Sequence, residues 1–405
     1  KWGLANANKD LNLLSEERAA AIAHSAMEIY EGNHLAQFPL DIFQTGSGTS
    51  TNMNMNEVIS SLSSTEVDTV HPNDHVNMGQ SSNDVIPSAI NVDSSLTVVN
   101  QLLPSMIHLK NSIDEKAKSI GDIPKNGRTH LMDAMPVTFA QEMSAWSAQI
   151  NDAMEQYQVL LTKLQQLAIG GTAVGTGVNA DPNLAKQCCI HMNKLTGMEF
   201  RPANNSFQAI SSQDASLMLS SCNRTLAVAL TKISNDLRWM NSGPLGGLGE
   251  ITLPALQPGS SIMPGKVNPV IPESVCMVAS QVLGNDLTIT HAAQSGNFQL
   301  NVMLPLIAHN LSESLSLLSS ACMSLADKAI KDFEVNQENI QSMLNKNPIL
   351  ATALNATIGY ETGAQIVKKA YNEKRSIIDV ASEMTDLDSD TLSQILDPVK
   401  LTRNQ

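Results

Sequence analysis

Gly259-Ser260-Ser261-Ile262-Met263-Pro264-Gly265-Lys266-Val267-Asn268-Pro269 is the stretch least like ordinary core or surface, and it decides how the rest of the chain is read. Pro258, Pro264 and Pro269 forbid a regular helix here, and Gly259 and Gly265 permit unusual backbone angles. The result is a loop with open N–H groups, one cation and several hydrogen-bonding side chains. Such a loop suits an anion whose charge grows during a reaction. A surface turn with one solvated lysine is the plain alternative. The adjacent hydroxyls, with Lys266 and Asn268 at fixed spacing, favour chemistry.

The chain has 405 residues, enough for a large core and more than one domain. Aromatic residues make up only 3%, whereas Met, Ala, Ser and Leu are plentiful, a mixture that favours long helices over sheets. The net charge of −14 argues against nucleic acid as a partner, since phosphate binding needs a basic face. A local pocket can still hold a small anion. Cys188, Cys189, Cys222, Cys276 and Cys322 are scattered and odd in number, which points to reduced thiols in a cytoplasm. Adjacent Cys188 and Cys189 lack metal-site spacing and read as structural. No apolar run is long enough to span a membrane, and none reads as a signal peptide.

Apolar residues at steps of three and four mark a helix over 137–167. Phe139, Met143, Trp146, Ile150, Met154, Tyr157, Leu161 and Leu164 form a core stripe, not a cofactor box. Helices also read over 84–119, 210–240, 270–290 and 300–325. A rod of about thirty residues is roughly 45 Å long and suits a bundle that packs against other subunits. The expected fold is mainly α. A central long-helix bundle over 81–337 follows a first region of short helices over 1–80 and precedes a small helical region over 338–405.

Polar blocks interrupt the helices. In Thr45-Gly46-Ser47-Gly48-Thr49-Ser50-Thr51-Asn52-Met53-Asn54-Met55-Asn56-Glu57, small hydroxyl residues between glycines lead into a helix from Asn52. A helix N-terminus with such donors is a natural carboxylate site. In the block from His71 to Asp84, His71 and His75 are four apart, but Pro72 and the Asn/Asp content argue for a loop over a metal pair. Ser81, Ser82 and Asn83 open a long helix, where capping it and facing an anion are compatible. Residues 127–136 read as a loop fixing His130, with Thr129 and Asp133 near. The glycine-rich 170–177 lacks the strand and acid of a dinucleotide fingerprint and reads as a tight turn close to the site.

Gly-Ser-Ser-x-x-Pro-x-Lys-x-Asn-Pro resembles the signature of the fumarase/aspartase superfamily, whose members eliminate an amine or water from a succinyl-type substrate. The resemblance covers nearly the whole chain. The Thr45 and His71 blocks are similar to the family's first and second signatures, and 355–362 to its C-terminal block. It implies a three-domain fold built as a homotetramer on a central helical core, with active sites drawn from three subunits and a further segment ahead of Lys1. It implies substrate contacts for Ser47, Thr49, Ser81, Ser82, Asn83, Thr129, Ser261, Lys266 and Asn268. It implies Ser260 as base, His130 as proton donor and Glu273 as the carboxylate paired with that histidine. It implies no metal and no organic cofactor. His71, Asn73 and Asp74 match a second anion site, although Asp68 stands where some relatives have a basic residue. Leu245 stands where Arg is common.

The chemistry fits those residue types. A proton on carbon beside a carboxylate leaves only if the charge spreads onto that carboxylate as an aci-carboxylate held by fixed donors. Lys266, Asn268 and the loop N–H groups suit this, and His130 suits protonation of a leaving hydroxyl. His130, Gly265 and Gly296-Asn297-Phe298 resemble fumarases, whereas the run from Asn268 to Glu273 resembles aspartases. The resemblance therefore points to the class II fumarases, which interconvert fumarate and L-malate. Aspartate ammonia-lyase is the alternative. A non-catalytic structural homotetramer is a third reading, against which the intact set of Ser260, Lys266, Asn268, His130 and Glu273 speaks.

Overall fold

The computed structural model describes residues 1–403, and the chain falls into two compact units. The first comprises Lys1–Pro104, Ala153–Val228 and Val278–Ser320. The second comprises Ser105–Asp152, Ala229–Met277 and the chain from Ala321 onward. The fold is mainly α. In chain order the elements begin with α1 (Trp2–Asp10), α2 (Glu16–Tyr30), α3 (Thr49–Ser63), α4 (Ser82–Thr97) and α5 (Leu103–Ile120). A hairpin of β1 (Pro124–Thr129) and β2 (Met132–Thr138) leads into α6 (Phe139–Leu164). Then come α7 (Leu184–Thr196), α8 (Ser206–Ser211), α9 (Asp214–Met240), α10 (Val270–Ala293) and α11 (Leu304–Leu325). No helix among the described residues is long and apolar enough to cross a membrane.

Local signals explain the helix starts. Ser15 accepts a hydrogen bond from Arg18 N, with Glu16 and Glu17 in the first turn, so α2 is capped and its dipole is opposed. Ser81 and Asp84 form a reciprocal capping box at the start of α4. In the first unit, α1, α2 and α3 close over Ala5, Leu14, Ile22, Ile59, Val70 and Val76. Beyond the long helices, the second unit ends in short helices around Leu354, Ile366, Val380 and Leu392.

The α6 stripe is core: Phe139, Met143, Trp146, Ile150 and Tyr157 are all fully buried. After Tyr157 it continues through Leu160, not Leu161, which is half-buried. Steps of three-then-four and four-then-three are equally helical, so only packing chooses between them.

Four local expectations need correction. Residues 127–136 belong to the β1–β2 hairpin, in which Thr129 pairs with Met132. Its two turn residues, His130 and Leu131, lie in the left-handed region at φ 54° and 60°. Neither is the Gly, Asn or Asp that announces such a turn, so the sequence hid it. The helix α3 starts at Thr49, ahead of Asn52, because Gly48 at φ 71° takes the left-handed cap position. The helix expected over 210–240 is broken, with Ser212 extended between α8 and α9. The last long helix starts at Leu304, since Leu300–Asn301 pairs with Gly296–Asn297 instead.

Candidate active site

In the first unit the N-termini of α3 and α4 come together. Asn52, in the first turn of α3, donates from Nδ2 to Ser82 Oγ at 3.1 Å. A side chain at Gly48 would press on Ile86 of α4, so the helices meet closely there. Ser47 and Thr49 share a hydrogen bond of 2.7 Å at the mouth of α3. Ser81 Oγ accepts from Asn83 N at 3.2 Å, and Asn83 Nδ2 donates to the Ala173 carbonyl at 2.7 Å. Asp84 accepts from the N–H groups of Ser81, Gly170 and Thr172. The glycine-rich turn is thereby laced to the start of α4. Burial pushes the Asp84 carboxyl up from its ordinary range, and these N–H groups oppose the shift. Ser47, Thr49, Ser81, Ser82 and Asn83 thus gather around two convergent helix N-termini, whose partial positive charge favours a carboxylate.

Asn73 and Asp74 lie in one wide turn, Pro72–Val76, and His71 stands just before it, its Nδ1 capping the N–H groups of Asn73 and Asp74. Arg18 of α2 forms a two-pronged pair with Asp68 and reaches His75 Nε2 at 3.0 Å. Burial, and next the Arg18 guanidinium, hold the His75 imidazole below its usual range. A guanidinium therefore does stand beside this turn. It comes from a helix some fifty residues upstream, and Asp68 engages it.

In the second unit the loop 258–269 has no regular structure. Ser260 Oγ accepts from Ile262 N at 3.3 Å and Met263 N at 3.1 Å. Asn268 Nδ2 donates to the Gly259 carbonyl at 2.7 Å and closes the loop. A Cβ at Gly259 would sit 2.0 Å from the Lys266 carbonyl, so only glycine fits there. Lys266, Asn268 and Glu273 line one groove of about 1030 Å³. Ser261 and Lys266 are exposed, and Ser260 is half-buried. Thr129 and His130 are exposed at the hairpin tip and are not part of that lining. No ion pair joins His130 to Glu273 among the described residues.

The base of the hairpin is anchored by ion pairs and hydrogen bonds. Arg128 Nη1 donates to Glu250 Oε1 at 2.7 Å. Lys125 Nζ lies 2.9 Å from Glu250 Oε2, close enough for an ion pair, and hydrogen-bonds Glu142. Lys125 and Glu250 are nearly inaccessible, at 3% and 1% exposure. Asn347 ties Asn126 and the Ala134 carbonyl across the two strands.

Sequence reasoning passed over Lys1, Asn52, Asn56, Asn77, Arg18 and Glu250. The run from Asn52 to Asn56 held a usable signal, because Asn52 and Asn56 are four apart and share a helix face. The others act through partners remote in sequence. All five cysteines are free thiols, and burial pushes Cys189 and Cys322 up to about 12. No cluster of three His, Cys, Asp or Glu among the described residues is placed to hold a metal.

A family model described as a lyase matches residues 1–284, and one described as the fumarase C C-terminus matches 350–403. The chain is 54% identical over 403 residues to a class II fumarate hydratase of Xylella fastidiosa, covering 99% of this chain and 85% of that protein. It is also 54% identical to "Fumarate hydratase class II 2" of Pseudomonas aeruginosa, covering 99% and 88%. The crystal structure of class II fumarase from Schistosoma mansoni superposes with a TM-score of 0.95 at 40% identity, covering 99% of this chain and 88% of that one. With the N-termini of α3 and α4 brought together and the Ser-Ser-x-x-Pro-x-Lys-x-Asn loop in place, the chain belongs to the class II fumarate hydratase family.

Proposed function

We propose that this lyase hydrates fumarate to L-malate reversibly, by anti addition and elimination of water through an aci-carboxylate. The observation that carries the reading is the loop at Ser260. Two backbone N–H groups already point at its Oγ, in the same loop that bears Lys266 and Asn268. An alkoxide there would be held by those N–H groups, which makes Ser260 the base. Lys266, Asn268 and the Ser261 region take the charge that spreads onto the substrate carboxylate. Ser47, Thr49, Thr129, Ser81, Ser82 and Asn83 hold the dicarboxylate. His130 protonates the leaving hydroxyl, and Glu273 orients and raises the basicity of that imidazole. His71, Asn73 and Asp74 form the second anion site. We assign no metal or organic cofactor, because cation, donors and acid all come from side chains.

The assembly we infer is a homotetramer with active sites drawn from three subunits. Exposed apolar side chains on the long helices support it: Val159 on α6, Val228 and Trp239 on α9, and Met277, Leu283 and Leu287 on α10. A cytoplasmic location agrees with the five free thiols.

Fumarate absorbs in the ultraviolet, and malate and aspartate do not. Mixing the protein with each substrate and following that absorbance tests the reading. We expect rapid appearance of fumarate from L-malate and none from L-aspartate. Faster turnover of aspartate would make it an aspartate ammonia-lyase, and turnover of neither would favour a structural tetramer.

A further inference from the structure

We propose that Lys1 is a positioning residue of the carboxylate site, whose ammonium, acting through Asn77 and Asn52, fixes the Ser82 hydroxyl as a donor to the substrate. The proposal rests on the dicarboxylate reading above. Lys1 Nζ donates to Asn77 Oδ1 at 3.0 Å and to Gln80 Oε1 at 2.8 Å. The same Asn77 oxygen accepts from Asn52 Nδ2 and Asn56 Nδ2, each at 3.2 Å. On its other side, Asn77 Nδ2 donates to the Gln80 carbonyl at 3.2 Å. The Asn77 amide therefore has one possible orientation, with its oxygen toward the lysine.

That orientation propagates. Facing an acceptor, Asn52 must present its amide nitrogen, and the same nitrogen reaches Ser82 Oγ at 3.1 Å. Ser82 Oγ then accepts a hydrogen bond from Asn52 and keeps its own O–H to donate. The Asn77 oxygen accepts from both the ammonium and Asn52, and the Asn52 nitrogen so placed also donates to Ser82. Asn52 and Asn56 are buried, and their amide oxygens have no hydrogen-bond partner among the described residues. Both are thus held nitrogen-first at the cost of an orphaned acceptor, the arrangement expected if Lys1 and Asn77 dictate their orientation. Burial lowers the Lys1 ammonium to about 7, with the Asp84 carboxylate pulling the other way. A staple joining α1 to the Asn77 turn would need the length of the side chain but not its charge.

Calorimetric titration with succinate, an unreactive dicarboxylate, reads the role without requiring turnover. Lys1→Met should weaken succinate binding and raise KM for L-malate on the order of tenfold, with kcat changed less. Lys1→Arg, which keeps the charge, should recover most of that loss. Asn77→Leu, which removes the acceptor shared by Lys1 and Asn52, should weaken succinate to a similar degree and serves if Lys1→Met does not fold. A folded Lys1→Met or Asn77→Leu protein that binds succinate within about twofold of the unmodified one overturns the proposal. So does Lys1→Arg failing as badly as Lys1→Met. If the unmodified protein binds succinate but turns over neither fumarate nor L-malate, the activity reading falls and the succinate comparison still decides Lys1. If it does not bind succinate at all, both fall.

Discussion

Arg128 Nη1 lies 2.7 Å from Glu250 Oε1, and this bond ties the hairpin carrying His130 to the stretch just ahead of the Ser260 loop. Glu250 also faces Lys125, and both are almost wholly inaccessible. Position and stability are therefore linked at this carboxylate. Removing it leaves two cations in a place with little water to screen them.

Glu250→Gln should destabilise the protein by about 3–5 kcal/mol, the scale for breaking a buried pair from one side. Urea unfolding followed by circular dichroism measures it. A loss under about 1 kcal/mol would mean that water reaches these groups.

Asn52→Asp should raise KM for L-malate at least on the order of tenfold. The carboxylate would turn an acceptor toward Asn77 Oδ1 and Ser82 Oγ, where the amide now donates to both. An unchanged KM in steady-state kinetics would show that the Ser82 hydroxyl is oriented by something else.

Ser260→Ala should abolish nearly all turnover while dicarboxylate binding stays within a few-fold, because Lys266, Asn268 and Thr49 remain. Ser261→Ala should cost less. Calorimetry with succinate beside the fumarate assay separates the two quantities, and substantial residual turnover would exclude Ser260 as the base.

His130→Asn should lose on the order of 10²–10⁴ in turnover, and Glu273→Gln somewhat less. The double variant should be little worse than His130→Asn, since the two act as a unit. No ion pair joins them among the described residues, and in the proposed tetramer we infer that the pairing forms between subunits. Denaturing and refolding the two single variants together should then regain activity, because some mixed sites receive both native residues. No regain would place both in one chain.

Light scattering at micromolar concentration should give a tetramer. A monomer would contradict both the assembly and the shared site.

Much of this protein is legible along the chain because its causes are local. The α6 stripe from Phe139 to Tyr157 is buried as its spacing foretold, since helical period and core face are one geometric fact. The Ser260 loop is irregular because its prolines and glycines leave nothing else. Ser81 caps α4 because its hydroxyl needs a partner only two residues on. The hairpin at His130 was not legible. Its positive backbone angles at His130 and Leu131 are imposed by strand pairing and by anchors such as Glu250 and Asn347, not by turn residues. Leu160 displaces Leu161 because both fit the period and only the neighbouring surface selects one. Arg18 meets Asp68, and Lys1 meets Asn77, across separations of 50 and 76 residues. The sequence by itself determined where most of the long helices lie and that 258–269 is an irregular loop, because hydrogen-bonding and hydrophobic period act over a few residues. Which charged side chains meet around the N-termini of α3 and α4 was decided only when the chain closed on itself and brought remote side chains within bonding distance.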